Sequence, residues 1–161
     1  MPEYQWRAMT ADDLPTVAAI SDRVHGDFTE DGAVYAERLA LYPAGCLVLA
    51  GQREIAGYLI AHPWHRATPP ALGATLGAIP ADADSYYLHD IALLPSARGS
   101  GAGRTAIGLA MDQARAAGLG EIALIAVNGA DKFWAAQGFV YAGPAPYGAD
   151  TWLMHRPVAR G

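Results

Sequence analysis

The chain has 161 residues, 52% of them apolar and 17% charged, with a formal net charge of −5. That balance describes a globular chain long enough to bury a core, excludes a disordered one, and lacks the basic excess of a general nucleic-acid binder. No apolar run approaches the roughly eighteen residues of a membrane span, and the single cysteine, Cys46, excludes an internal disulfide.

Residues 1–161 read as one domain. Met1 to Arg7 lack the basic start and apolar stretch of a secretion signal, so the expected compartment is the cytoplasm. Tyr4 to Met9 suit a first strand. Thr10 then N-caps a helix, with Asp13 at the capping-box spacing, and Leu14, Val17, Ala18 and Val24 carry its apolar stripe to about His25. A second helix covers Ala33 to Leu41 and stops before Pro43. Cys46 to Ala50 and Ile55 to Ala61 read as a hairpin around Gly51-Gln52-Arg53-Glu54, with Cys46 as a buried strand residue rather than a nucleophile.

Pro63 to Ala83 holds four prolines and two glycines and reads as a long connection with a short helix near Leu72 to Leu76. Tyr86 to Leu94 is the central strand. Strict alternation would put Tyr87, His89, Ile91 and Leu93 on one face and Asp90 on the other, as a structural hydrogen-bond partner. A helix from Arg104 to Ala117 follows. Glu121 to Val127 is a continuous apolar run, expected of a strand covered on both faces. A short helix over Ala130 to Gln137 and strands at Phe139 to Ala142 and Thr151 to His155 close the chain. Helices and strands interleave, so the class is mixed α/β.

Between the central strand and its helix lies Arg98-Gly99-Ser100-Gly101-Ala102-Gly103-Arg104. A strand, a glycine-rich turn and a helix N-terminus make an anion site of outward N–H groups and favourable dipole. A P-loop would need a lysine and a hydroxyl at its end, and neither is present. The dinucleotide fingerprint fails because its third glycine position is Arg104.

The spacing that fits is Arg98-x-x-Gly101-x-Gly103. With His89 to Pro95 before it, and Asn128-Gly129-Ala130-Asp131-Lys132-Phe133-Trp134-Ala135-Ala136-Gln137-Gly138-Phe139 after it, the chain resembles the GCN5-related N-acetyltransferase superfamily along nearly its whole length. The resemblance implies a mixed, mostly antiparallel sheet flanked by helices and splayed at the acetyl-CoA strand. It implies an acetyl-CoA-dependent N-acetyltransferase acting on a primary amine of a small molecule or protein, by direct attack in a ternary complex. The alternative is a non-catalytic acyl-CoA-binding sensor or partner module. The expected partners are acetyl-CoA and an amine acceptor, with no nucleic acid, membrane or metal; a homodimer is a possible assembly.

By the same resemblance, the backbone of Ile91, Ala92 and Leu93 would pair with pantetheine amides, with Leu93 N–H polarising the thioester carbonyl. Gly99, Ser100, Gly101, Ala102, Gly103 and Arg104 would hold the pyrophosphate. Arg98 would join them or bond to backbone carbonyls of the turn, and Arg104 would otherwise be solvated. Asn128 would touch the pantetheine arm, cap a helix, or both. Lys132 would reach the phosphates or face solvent. Phe133 is carried as a cofactor contact, although it and Phe139 read first as core.

His89 is the candidate base, because histidine exchanges protons near neutrality. The family's acidic tyrosine is replaced by Trp134, whose indole N–H donates a hydrogen bond but no useful proton. Tyr147, in a proline- and glycine-rich loop, is the substitute acid; water is the other. Phe28, Tyr87 and Trp64 are candidate acceptor contacts, and His62 and His65 would line the same pocket without making a metal site.

Overall fold

The computed structural model describes residues 3–159. In chain order these are β1 (Gln5–Ala8), α1 (Leu14–His25), α2 (Gly32–Leu41), β2 (Cys46–Ala50), β3 (Ile55–Trp64), β4 (Ser85–Leu93), α3 (Ala102–Ala116), β5 (Glu121–Ala126), α4 (Asp131–Ala136), β6 (Val140–Pro144) and β7 (Trp152–Pro157). Met1, Pro2, Arg160 and Gly161, the ends of the expected domain, lie outside the described residues.

The strands form one seven-stranded sheet in the order β1-β2-β3-β4-β5-β7-β6. The β4–β5 pair is parallel and its neighbours are antiparallel. Helices cover both faces. On one, Val17 and Ile20 of α1 and Tyr35 of α2 pack on Val48, Tyr58, Ile60 and Ala92. On the other, Ala106, Ile107 and Ala110 of α3 and Trp134 of α4 pack on Leu59, Tyr86, Leu88, Ile122 and Met154. Alternation along β3 sends Tyr58 and Ile60 to the first core, Leu59 and Ala61 to the second.

Local chemistry explains the boundaries. Thr10 and Asp13 form the expected capping box, and Arg7 grips the Asp13 carboxylate with both terminal nitrogens at 2.8 and 3.0 Å. Asp31 caps α2 by accepting from Ala33 N–H at 2.9 Å. Trp6 Nε1 donates to Ala102 O at 3.1 Å and anchors the start of α3.

Two expectations are corrected. First, α3 starts two residues earlier than expected, so Gly101 is its N-cap and Arg104 lies in its first turn. Second, no helix forms near Leu72 to Leu76. Side chains of the α1–α2 region take the loop's backbone donors instead: Gly73 N–H donates to Glu30 at 2.7 Å, and Leu76 and Gly77 N–H donate to Glu37. Gly73 and Gly77 have φ of +78° and +77°, values that break a right-handed helix. Among the described residues no helix is long and apolar enough to cross a membrane.

Candidate functional site

β4 and β5 pair only at Tyr86–Ile122 and Tyr87–Ala123, then part. From Leu88 to Leu93 the edge of β4 that faces β5 has no strand beside it among the described residues. The split is a cleft of about 390 Å³, with Ile91 and Leu93 on one wall and Leu124 and Ile125 on the other. Such an edge can accept amide groups of an extended ligand as an added strand would.

The cleft leads to the glycine turn. Gly99 and Gly101 have φ of +80° and +86°, the left-handed region where only glycine is unstrained. They turn the chain so that α3 starts beside the end of β4, with its first N–H groups free of helical partners. Arg98 lines the cleft and its Nε donates to Leu93 O at 3.3 Å, which is the turn-fixing alternative. Gly103 lines the cleft; Arg104 is exposed and faces a different groove along α3.

Across the split, Asn128 follows β5 with φ +56°, a conformation asparagine tolerates. Its Nδ2 donates to His25 O at 3.4 Å, tying the end of β5 to the end of α1. Phe133 is not core. It is 44% exposed and lies on the cleft. Trp134 is buried, edge-on to Phe133 and Phe139 at ring separations of 5.1 and 5.2 Å. Phe139 is core as expected. Lys132 is exposed on α4 and does not line the cleft.

At the other end of the cleft the β3–β4 register slips. Ile60 faces Asp90 and Ala61 faces Leu88, so His89 is an extra residue, a β-bulge. The bulge breaks strict alternation. Tyr86, Leu88 and Ile91 meet the core under α3, whereas His89 and Asp90 both turn towards the α1–α2 side. The expectations that His89 shares a face with Ile91, and that Asp90 points away from His89, are therefore corrected.

Each of those two side chains finds a partner. His89 Nε2 lies 2.6 Å from Glu30 Oε1, with side chains 2% and 4% exposed. His25 Nε2 lies 2.6 Å from Asp90 Oδ1, and Tyr58 donates to Asp90 Oδ2 at 2.5 Å. Burial works to raise the Glu30 pKa, but the His89 hydrogen bond and charge, the Gly73 amide and Arg38 bring it below the ordinary carboxylate value. Burial likewise opposes a charged His25, yet its bond to Asp90 and the charges of Asp90 and Glu30 raise it above the ordinary histidine value. His62 has no such partner and burial pushes it down to about 3.

Residues 7–139 match the Acetyltransferase (GNAT) family. The chain belongs to that family. No curated protein matches it. Solved structures share the fold of this GNAT chain at low identity. Ard1 from Thermoplasma volcanium is 16% identical, with a TM-score of 0.77 over 98% of this chain and 99% of its own. The ribosomal-protein-S18-alanine N-acetyltransferase from Escherichia coli is 19% identical, with a TM-score of 0.68 over 99% and 96%. The GNAT-like decarboxylase GphF, in complex with isobutyryl-CoA, is 15% identical, with a TM-score of 0.79 over 96% and 100%.

Within this GNAT fold the cleft gathers Phe28, His89, Ile91, Ala92, Leu93, Arg98, Gly103, Asn128 and Phe133. Gly99, Ser100, Gly101 and Ala102 form the turn beside it. Tyr87 is buried behind His89, ring to ring at 6.0 Å, and Trp64 lies at the far end of β3, donating to Thr68 O at 2.8 Å. Tyr147 does not line the cleft; its hydroxyl donates to Pro70 O at 2.6 Å. His62 is buried away from the cleft wall and His65 pairs with Asp82. The cleft also holds Glu30 and His25, which sequence reasoning missed. They stand 59 and 65 residues from their partners, and no local spacing signals such pairs.

Proposed function

We propose that the protein transfers an acetyl group from acetyl-CoA to a primary amine, by direct attack in a ternary complex. The observation that carries this reading is the unpaired edge of β4, which runs from the His89 bulge to the glycine turn inside one cleft. The backbone of Ile91, Ala92 and Leu93 pairs with the pantetheine amides. The turn from Arg98 to Gly103 and the start of α3 hold the pyrophosphate, with Arg98 bracing the turn. Asn128 and Phe133 border the arm.

Leu93 N–H donates to the thioester oxygen and stabilises the charge that develops there. The amine enters from the side of Phe28, Glu30 and Leu72. Its nitrogen forms the new C–N bond, the C–S bond breaks, and sulfur leaves as thiolate. His89 takes the proton the amine loses. Water supplies the proton to sulfur, because Trp134 has none to give and the Tyr147 hydroxyl is engaged with Pro70. Residues 1–161 act as one domain, and the chemistry asks for no second copy of the chain.

Titration with CoA followed by thiol release across an amine panel, including N-terminal peptides and polyamines, tests the proposal. Amine-dependent CoA release is expected. Tight CoA binding with no release would mark an acyl-CoA-binding module instead. Carbon dioxide from a carboxyacyl-CoA without any amine would point to decarboxylation.

A further inference from the structure

Glu30 is not on the β4 strand, nor in either sequence motif, yet it touches both halves of the acceptor side. One carboxylate oxygen meets His89 Nε2 at 2.6 Å and the other accepts Gly73 N–H at 2.7 Å. Both its side chain and that of His89 are almost fully buried. A carboxylate only accepts hydrogen bonds, so the proton between Glu30 and His89 sits on Nε2. In the neutral form of His89 the lone pair is then on Nδ1; in the imidazolium form, whose charge lowers the Glu30 pKa, Nδ1 carries a proton as well. That atom is buried and has no partner among the described residues. A buried polar atom left without a partner calls for an explanation. The His89 ring lines the cleft but Nδ1 itself is closed to solvent, so an acceptor nitrogen or a water meets it only after its surroundings shift.

We propose that Glu30 is the positioning residue of the site: it holds His89 in the Nε2–H tautomer, presenting Nδ1 as the proton acceptor, while its second oxygen seats the 70–77 loop. This rests on the acetyl-transfer reading for its chemistry, but the tautomer itself does not. When the C–N bond forms, the amine proton passes to Nδ1 and the imidazolium that results lies against Glu30. The proton leaves afterwards to solvent or to the departing thiolate, so no proton is gained or lost over the cycle.

Glu30→Gln separates this from a structural role. Glutamine has one oxygen for two donors. A backbone N–H cannot give up its proton, whereas histidine can shift its own, so the amide oxygen stays with Gly73 and the amide NH2 faces His89. His89 is thereby driven to the Nδ1–H tautomer and Nδ1 stops being a base. The experiment is long-range ¹⁵N–¹H NMR of the histidine rings in wild type and Glu30→Gln, with His89→Gln to assign the signals. Kinetics and CoA titration accompany it.

Expected are an Nε2–H ring in wild type and an Nδ1–H ring in Glu30→Gln. The variant's kcat falls about 100-fold or more, as for loss of a general base, with CoA affinity unchanged. Wild-type His89 as the Nδ1–H tautomer, or a Glu30→Gln variant that keeps the wild-type tautomer and kcat, would overturn the proposal. Should Glu30→Gln not fold, the wild-type tautomer together with partial recovery of kcat in Glu30→Asp decides. A wild-type Nε2–H ring in a protein that acetylates no amine removes the acetyl-transfer reading and leaves the Glu30–His89 pairing standing.

Discussion

His89 and His25 stand at one cleft, each 2.6 Å from a carboxylate, but their surroundings differ. His89 is the group whose loss should stop the chemistry. His89→Ala is expected to lower kcat about 10²–10⁴-fold; an unchanged kcat would remove it as base. His25 is expected to show itself in stability. Its pKa is raised in the fold, so the His25–Asp90 pair contributes fully below pH 6.5 and the contribution is lost as pH rises through the folded value. His25→Gln should therefore cost about 1–3 kcal/mol in urea melts at pH 6 and progressively less as the pH is raised above that. His62 acts in the opposite sense. Held down to about 3, it is neutral in the fold, so protonating it in the unfolded chain drains stability as pH falls below 6.5. In this set of side chains, motif reasoning found His89 and the Trp134 substitution. It had no access to Glu30 or His25, because a hydrogen bond between distant segments leaves no spacing in the sequence.

Among the elements, β4 is the one whose details matter most. It pairs with β3 along its length and with β5 only at its start. Gly57 sits opposite Leu93, and a Cβ there would come within 2.6 Å of Ala92 O and 2.7 Å of Leu93 Cδ2. Gly57→Ala should push the strands apart beneath the cleft, costing about 1–3 kcal/mol in denaturant melts and weakening CoA binding measured by calorimetry. In the turn, Gly101→Ala puts a side chain at φ +86° where no neighbour crowds it. Its effect is backbone strain alone, about 1–2 kcal/mol, and a weaker anion site. The strands and helices themselves were legible from apolar period, caps and glycines. The bulge at His89 was not, because an extra residue in one strand is defined only by its partner's register. The 70–77 segment failed as a helix for a related reason: Glu30, Glu37 and Arg38, far away in the chain, take up its backbone groups.

For the whole molecule, the sheet separates two large cores, and the cleft opens within the sheet between β4 and β5. The α1–α2 core lies on one face and the α3–α4 core on the other, with β4 shared between them, while Ala97 and Ala102 at the glycine turn pack on Leu49 and Ala56 in a small third cluster. A ligand bound along β4 would bridge the two walls where the sheet itself has parted. CoA at about 100 times its Kd should add about 2.7 kcal/mol of stability, raising Tm by roughly 5–10 °C. The Asn128–His25 tie and the Phe133 ring, both on the cleft, should become more protected from hydrogen exchange or solvent in the same experiment. A CoA titration that leaves Tm unmoved would remove the donor assignment.

The sequence by itself determined the family, the element order and the glycine turn between the central strand and its helix. These depend on local chemistry: glycines where φ must be positive, apolar period in each helix and strand, and a motif whose parts lie within a few residues of one another. Only the tertiary structure decided which histidine meets which carboxylate, that Phe133 faces the cleft while Tyr147 does not, and that His89 and Asp90 share a side of the sheet. Those are consequences of a one-residue slip between β3 and β4 and of segments packed from opposite ends of the chain. Register and long-range packing are settled by the energy of the whole fold, which no single stretch of sequence carries.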